Sequence, residues 1–145
     1  MFVKKVFELV KNKILIVASN YYEEVIKNLI SGSTNFLSES GFKYDIIDAP
    51  GCFEIPFLIK KNINSYLGFI ALGCVIRGET YHFEIISNEC SRKIMDLSVN
   101  FNKPIGFGIL TCDTFDQAII RSDPLNKNKG KEAASACINL LKENF

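Results

Sequence analysis

A chain of 145 residues with 48% hydrophobic side chains, among them 12 Phe and 5 Tyr but no Trp, has the size of one domain and enough apolar material to bury a core, which argues against disorder. Seventeen Lys and Arg against sixteen Asp and Glu leave a formal charge of +1, so no global field draws the chain onto a polyanion such as nucleic acid. The longest nearly uninterrupted apolar run, Gly68 to Ile76, is only about half of the ~18 residues that mark a membrane span, so no bilayer crossing is expected.

From the N-terminus, Met1 to Val10 mixes Lys4, Lys5 and Glu8 among its apolar residues and lacks the continuous hydrophobic segment of a signal peptide. A cytoplasmic location is the expectation. Short apolar runs then recur at Ile14 to Ala18, Tyr44 to Ile47, Phe69 to Val75 and Ile105 to Leu110, each followed by a helix-compatible stretch. That alternation predicts one α/β domain over residues 1–145: a four-stranded parallel sheet flanked by helices on both faces, three layers with a doubly wound, flavodoxin-like topology. The runs are apolar on successive residues, as in strands buried on both faces.

The first helix is expected to carry Val25, Ile26, Leu29, Ile30, Phe36 and Leu37 toward the sheet, with Gly41 as its stop. The clearest helix lies between Thr80 and Phe101, where Phe83, Ile86, Cys90, Ile94, Leu97 and Phe101 step by three or four and Pro104 follows. Thr114 and Gln117 have capping-box spacing and open a short helix through Ile120; a last helix turns Ala133, Ala134, Cys137, Ile138 and Leu141 inward. The five cysteines, Cys52, Cys74, Cys90, Cys112 and Cys137, are widely spaced with no C-x-x-C pair, which reads as buried small hydrophobes in a reducing compartment and offers no local metal-ligand spacing.

Ligands of doubly wound sheets bind beyond the carboxyl ends of the strands. This selects Ser19 to Tyr22, Pro50 to Pro56, Cys74 to His82 and Gly106 to Thr114. The only histidine, His82, falls just after a buried strand that breaks at Gly78; with Thr80 as N-cap it lies in the first turn of a helix. The helix dipole there disfavours imidazolium, so a neutral ring able to accept a proton suits general base and acid work, the alternative being a surface or capping histidine without chemistry. In Pro50-Gly51-Cys52-Phe53-Glu54-Ile55-Pro56 a turn runs into a helix start, where exposed amides could bind a heterocycle's polar edge. Glu54 either accepts from such a ligand or only complements the helix dipole. Tyr21, Tyr22 and Phe107 could stack on a planar ring or serve packing. Arg121 with Lys127, Lys129 and Lys131 forms a basic cluster that is either a solvated loop or an anion site. The three lysines sit at a helix N-terminus, where cations are disfavoured, and Glu132 is the one nearby compensating charge. Neither glycine-rich nucleotide cradle, G-x-x-x-x-G-K-[ST] or G-x-G-x-x-G, occurs.

Taken together, Pro50-Gly51-Cys52-Phe53-Glu54-Ile55-Pro56, Gly73-Cys74-Val75-Ile76-Arg77-Gly78-Glu79-Thr80-Tyr81-His82-Phe83-Glu84, Phe107-Gly108-Ile109-Leu110-Thr111, Asp113-Thr114 and Asn128-Lys129-Gly130 resemble the lumazine synthase family over essentially the whole chain, in that family's order and spacing. The resemblance implies a transferase of riboflavin biosynthesis: condensation of 5-amino-6-(D-ribitylamino)uracil with 3,4-dihydroxy-2-butanone 4-phosphate to 6,7-dimethyl-8-ribityllumazine, releasing phosphate and water, with no cofactor or metal. It implies Tyr21 stacked on the pyrimidine, with Cys52, Phe53, Glu54, Cys74, Val75, Ile76 and Phe107 around it. Glu79, Thr80, Arg121 and Lys129 would meet the phosphate substrate, and His82 would shuttle protons. It further implies a homopentamer, alone, paired as a decamer or closed into a sixty-subunit shell, whose sites lie at subunit interfaces and receive Phe107, Arg121 and Lys129 from the neighbour. Residues 1–10 could add a strand to a neighbouring sheet, and riboflavin synthase enters as a further partner. Two stretches depart from the family. Asn20-Tyr21-Tyr22 replaces a common Arg-Phe-Asn, leaving either tyrosine to stack, and Asp123-Pro124-Leu125-Asn126-Lys127 replaces a Gly-rich Thr-Lys loop. A non-catalytic binder of a flavin-like ligand and a purely structural shell protein are the competing readings.

Overall fold

The structure is a computed structural model that describes residues 12–143, so the strand expected of residues 1–10 lies outside the described residues. In chain order it runs β1 (Lys13–Ser19), α1 (Glu23–Glu39), β2 (Lys43–Ala49), a 3-10 turn (Cys52–Glu54), α2 (Ile55–Lys61), β3 (Gly68–Ile76), α3 (His82–Phe101), β4 (Ile105–Cys112), α4 (Phe115–Ser122) and α5 (Lys129–Lys142). All strand pairs are parallel, in the order β2-β1-β3-β4. The first described strand is an inner one, from which the chain winds outward to β2 and then back across to β3. The switch point of the topology therefore lies between the carboxyl ends of β1 and β3.

Alternate residues of β1 explain the layers. Ile14, Ile16 and Ala18 pack with Val25, Ile26 and Leu29 of α1, Ala118 of α4 and Ala134, Cys137 and Ile138 of α5. Leu15 and Val17 pack on the opposite face with Ile55 and Ile59 of α2 and Cys90, Ile94 and Leu97 of α3. Both faces of the inner strands are thus dry, and their apolar runs follow from that burial. β2 departs from the expectation. It is one of the two edge strands, and Ile46 and Asp48 reach solvent while Lys13 and Tyr66 bind Asp45 at 3.2 and 2.8 Å. A strand needs to be apolar throughout only where both of its faces are covered, which is not so at β2.

Local signals set the helix ends. α1 closes on Ser40, and Gly41 follows in the left-handed region at φ +80°. The capping box at α4 is complete: the Gln117 amide donates to Thr114 Oγ1 at 3.2 Å and the Thr114 amide to Gln117 Oε1 at 3.3 Å. That helix runs two residues past Ile120, where the Ser122 hydroxyl is buried and donates to the Ile119 carbonyl. α3 begins one residue later than a Thr80 cap would give. Tyr81 occupies the boundary without capping through its side chain, and Thr80 Oγ1 accepts from the His82 amide at 3.4 Å. His82 is still in the first turn. Among the described residues no helix is long and apolar enough to cross a membrane.

Candidate active site

A cavity of about 350 Å³ opens at the switch point. Three segments build it. The end of β1 and the following loop give Ser19, Tyr21 and Tyr22; the 3-10 turn gives Gly51, Cys52, Phe53 and Glu54; the end of β3 and the start of α3 give Cys74, Val75, Ile76, His82 and Ile86. The fold thus brings together Tyr21, Cys52, Phe53, Glu54, Cys74, Val75, Ile76 and His82 from the sequence-based set. Glu79 and Thr80 sit on the exposed loop that leads into α3, outside the cavity wall. Phe107, Arg121 and Lys129 lie off the cavity of their own chain.

The two tyrosines differ in a way the sequence left open. Tyr21 is 75% exposed, whereas Tyr22 is half-buried against the core, edge-on to Tyr21 at 4.9 Å and 6.3 Å from Phe115. Burial, with the neighbouring Cys74, raises the Tyr22 hydroxyl above its ordinary ionisation range. Tyr21 is left with a face available for stacking. Phe53, 60% exposed, offers a second aromatic surface. The wall between them is thiol-lined. Cys52 and Cys74 are buried, and burial pushes Cys74 up to about 12 and Cys52 upward as well, so both act as neutral apolar lining. The Cys90 thiol donates to the Cys52 carbonyl at 3.1 Å and holds α3 to the 3-10 turn. All five cysteines are free and buried. Among the described residues no three His, Cys, Asp or Glu side chains assemble as a metal site.

The basic cluster is ordered by local bonds. Arg121 donates to its own helix at the Gln117 carbonyl, 3.2 Å away, and stays exposed. Lys129 opens α5 and pairs with Glu132 at 2.9 Å, the one compensating charge that the sequence offered. Asn128 caps that helix from a left-handed conformation, φ 47°, accepting from the Lys131 amide.

Ser19, Gly51 and Ile86 line the cavity although they were not singled out as ligand contacts. Ser19 and Gly51 fall within the strand-end segments, and Ile86 lies one turn beyond His82 on the same helix face, so the i,i+4 relation would have found it.

A family model described as 6,7-dimethyl-8-ribityllumazine synthase matches residues 11–144. The chain is 46% identical over 138 residues to the 6,7-dimethyl-8-ribityllumazine synthase of Bartonella bacilliformis, covering 91% of each chain. It is 44% identical to that of Agrobacterium fabrum, covering 90% of this chain and 93% of the relative, and 43% identical to that of Novosphingobium aromaticivorans, covering 89% and 94%. Similarity at this level along nearly the full length of both partners, on a four-stranded parallel sheet with its cavity at the switch point, places the chain in the 6,7-dimethyl-8-ribityllumazine synthase family of enzymes.

Proposed function

We propose that this chain condenses 5-amino-6-(D-ribitylamino)uracil with 3,4-dihydroxy-2-butanone 4-phosphate to form 6,7-dimethyl-8-ribityllumazine, phosphate and water, the penultimate step of riboflavin biosynthesis, in the cytoplasm and without a cofactor. The observation that carries this reading is the cavity, which gathers an open aromatic face, a carboxylate and the chain's one histidine around a volume suited to a small molecule. In this reading Tyr21 stacks on the pyrimidine, Cys52, Phe53, Cys74, Val75 and Ile76 surround it, and Glu54 accepts from its polar edge. Glu79 and Thr80 meet the phosphate substrate on the way into α3.

His82 moves the protons. It takes one as the pyrimidine amine bonds to the ketone carbon, and returns one to the hydroxyl that leaves as water to give the imine. Loss of the proton on the hydroxyl-bearing carbon then expels phosphate, the resulting enol ketonises to a new carbonyl at that carbon, and the ribityl-bearing nitrogen closes the ring on it with loss of a second water. Most of this reactivity belongs to the substrates, so holding the two reactants together is the protein's largest contribution.

Phe107, Arg121 and Lys129 complete the site of a neighbouring subunit, with the Arg121 fork on the phosphate and Lys129 adding charge. The assembly is a homopentamer, free or as the unit of a larger shell. Supporting this, one face of α3 carries exposed Ile85, Met95 and Val99 with Tyr81 at its start, large apolar side chains that a lone subunit would leave in water. The outer edge of β2, which pairs only with β1 among the described residues, is open to a strand from residues 1–10 of a neighbour. Riboflavin synthase, which would consume the product, is a further proposed partner.

Purified protein mixed with the two substrates should accelerate appearance of the lumazine chromophore; a folded, assembled protein that does not would overturn the reading. His82→Ala should lower turnover about 10-fold, below the usual 10²–10⁴ for a proton-transfer residue, because the substrates are themselves reactive. Arg121→Ala should raise KM for the phosphate substrate about 10-fold and leave pyrimidine affinity within about 2-fold; equal losses in both would contradict its assignment. Replacing Met95 and Val99 together by Asp should yield a folded single subunit by native mass measurement, with turnover lost because each site needs its neighbour. An intact assembly would rule out the α3 face.

A further inference from the structure

The start of α3 carries His82 but is poorly anchored by its own cap. Tyr81 contributes no side-chain hydrogen bond, and the Thr80 hydroxyl reaches the His82 amide only at 3.4 Å. Glu84, three residues past the N-cap, is the side chain that would ordinarily fold back onto the helix start. It is instead engaged by Arg77.

Arg77 is the residue on which three elements converge. Its amide donates to the Cys112 carbonyl at 2.9 Å, extending the β3–β4 ladder one residue beyond the sheet. Its Nε donates to Asp113 Oδ1 at 2.8 Å, its Nη1 pairs with Glu84, and its guanidinium lies over the Phe83 ring, 4.4 Å from the centroid. Asp113 is itself held, since its amide donates to Gln117 Oε1 at 2.8 Å within the capping box of α4. One planar cation thus grips the two residues that follow His82 and fastens them to the end of β4. Each of these ion pairs is exposed and would be weak alone. Planarity gives the guanidinium what a lysine ammonium lacks: two carboxylates in its plane and an aromatic ring on its face at the same time.

We infer that Arg77 is the positioning residue for His82: it substitutes for the missing cap, fixes the first turn of α3 on the sheet, and so holds the imidazole at the cavity wall. It does not line the cavity. The inference rests on the proposed activity for its kinetic consequence, but the anchoring itself can be read without turnover.

The test is a pair of measurements on the assembled protein. In Arg77→Ala, kcat should fall 3- to 10-fold and not below that of His82→Ala, with KM for the pyrimidine within 2-fold. Arg77→Lys should restore only part of the loss. Adding Arg77→Ala to His82→Ala should change kcat by less than 2-fold, because a residue acting through His82 has nothing left to position. Independently, amide hydrogen exchange in residues 78–88 of Arg77→Ala should speed up at least 10-fold while the core of β1 and β3 is unchanged. Unaltered exchange overturns the inference whether or not lumazine is formed. A multiplicative loss in the double variant, or a kcat within 2-fold of the parent in Arg77→Ala alone, overturns it in a protein whose parent makes lumazine; a parent that makes none refutes the proposed activity and leaves the exchange result to decide the anchoring.

Discussion

Gly130→Ala is expected to destabilise the fold by about 3 kcal/mol or more, at the upper end of overpacking substitutions, although in an exposed helix the same change would stabilise by up to ~1 kcal/mol. A Cβ at Gly130 would lie 2.1 Å from the Leu29 carbonyl oxygen and within 3 Å of two more backbone atoms of α1. Backbone cannot rotate aside as a side-chain tip can. The approach is close from both sides: a Cβ at Gly32 of α1 would meet Asn128 Oδ1 at 2.2 Å, and the buried Ser33 hydroxyl donates to the Gly130 carbonyl at 2.7 Å. Relief would require α5 to back away from α1, breaking that hydrogen bond and shifting Lys129, the adjacent residue proposed to add charge at a phosphate. Urea unfolding of the variant against the parent, at one protein concentration, measures the change. Gly78→Ala is the control, since nothing lies within 4 Å of its added Cβ. An increase in stability for Gly130→Ala would show that helix propensity, not the close crossing, governs the position.

That crossing also marks where the sequence stops being readable. Periodicity identifies Leu29, Ala133 and Cys137 as inward-facing because each is apolar and repeats at helical spacing, but Gly32, Ser33 and Gly130 carry no such signature. Their burial depends on two helices that are distant in sequence and meet only in the folded chain. Strands β1, β3 and β4 are legible because their burial demands continuous apolar runs. β2 has a similar run in Tyr44 to Ile47, yet it is half wet; Asp45 and Asp48 hold the clue, which makes sense only once the strand order is known. The same distinction applies to the site. Tyr21, Cys52, Glu54, Cys74 and His82 sit at strand ends and helix starts, so topology alone brings them to one cavity. Phe107, Arg121 and Lys129 were identified by residue type and resemblance, and a single chain does not bring them there. Their proposed role needs a second subunit, which no local pattern encodes.

The five buried thiols, two of which line this site, should make the fold sensitive to alkali. Burial raises Cys74, Cys90 and Cys137 from the ordinary thiol value of 9.0 to about 12, with Cys52 and Cys112 displaced in the same direction. Tyr66, which donates to Asp45 at 2.8 Å, is raised from 10.0 to about 12 by burial and by that carboxylate. Each group keeps its proton longer when folded. The stability it contributes is therefore complete below about pH 9 and is lost as pH rises toward the folded value near 12, because over that interval the unfolded chain releases protons that the native chain retains. Three thiols alone give a slope of about −4 kcal/mol per pH unit, from ~1.4 kcal/mol per unit for each proton. Against a typical total of 5–15 kcal/mol, such a slope exhausts the stability within about one to four units. Unfolding by urea at stepped pH should accordingly show a plateau to about pH 9 and a steep fall above it. Cys90→Ser retains a donor for the Cys52 carbonyl but cannot ionise in this range, so it should reduce the slope by about one proton's worth, ~1.4 kcal/mol per unit. Stability that stays level between pH 9 and 11 would mean that water reaches the buried thiols, Cys74 in the cavity wall among them.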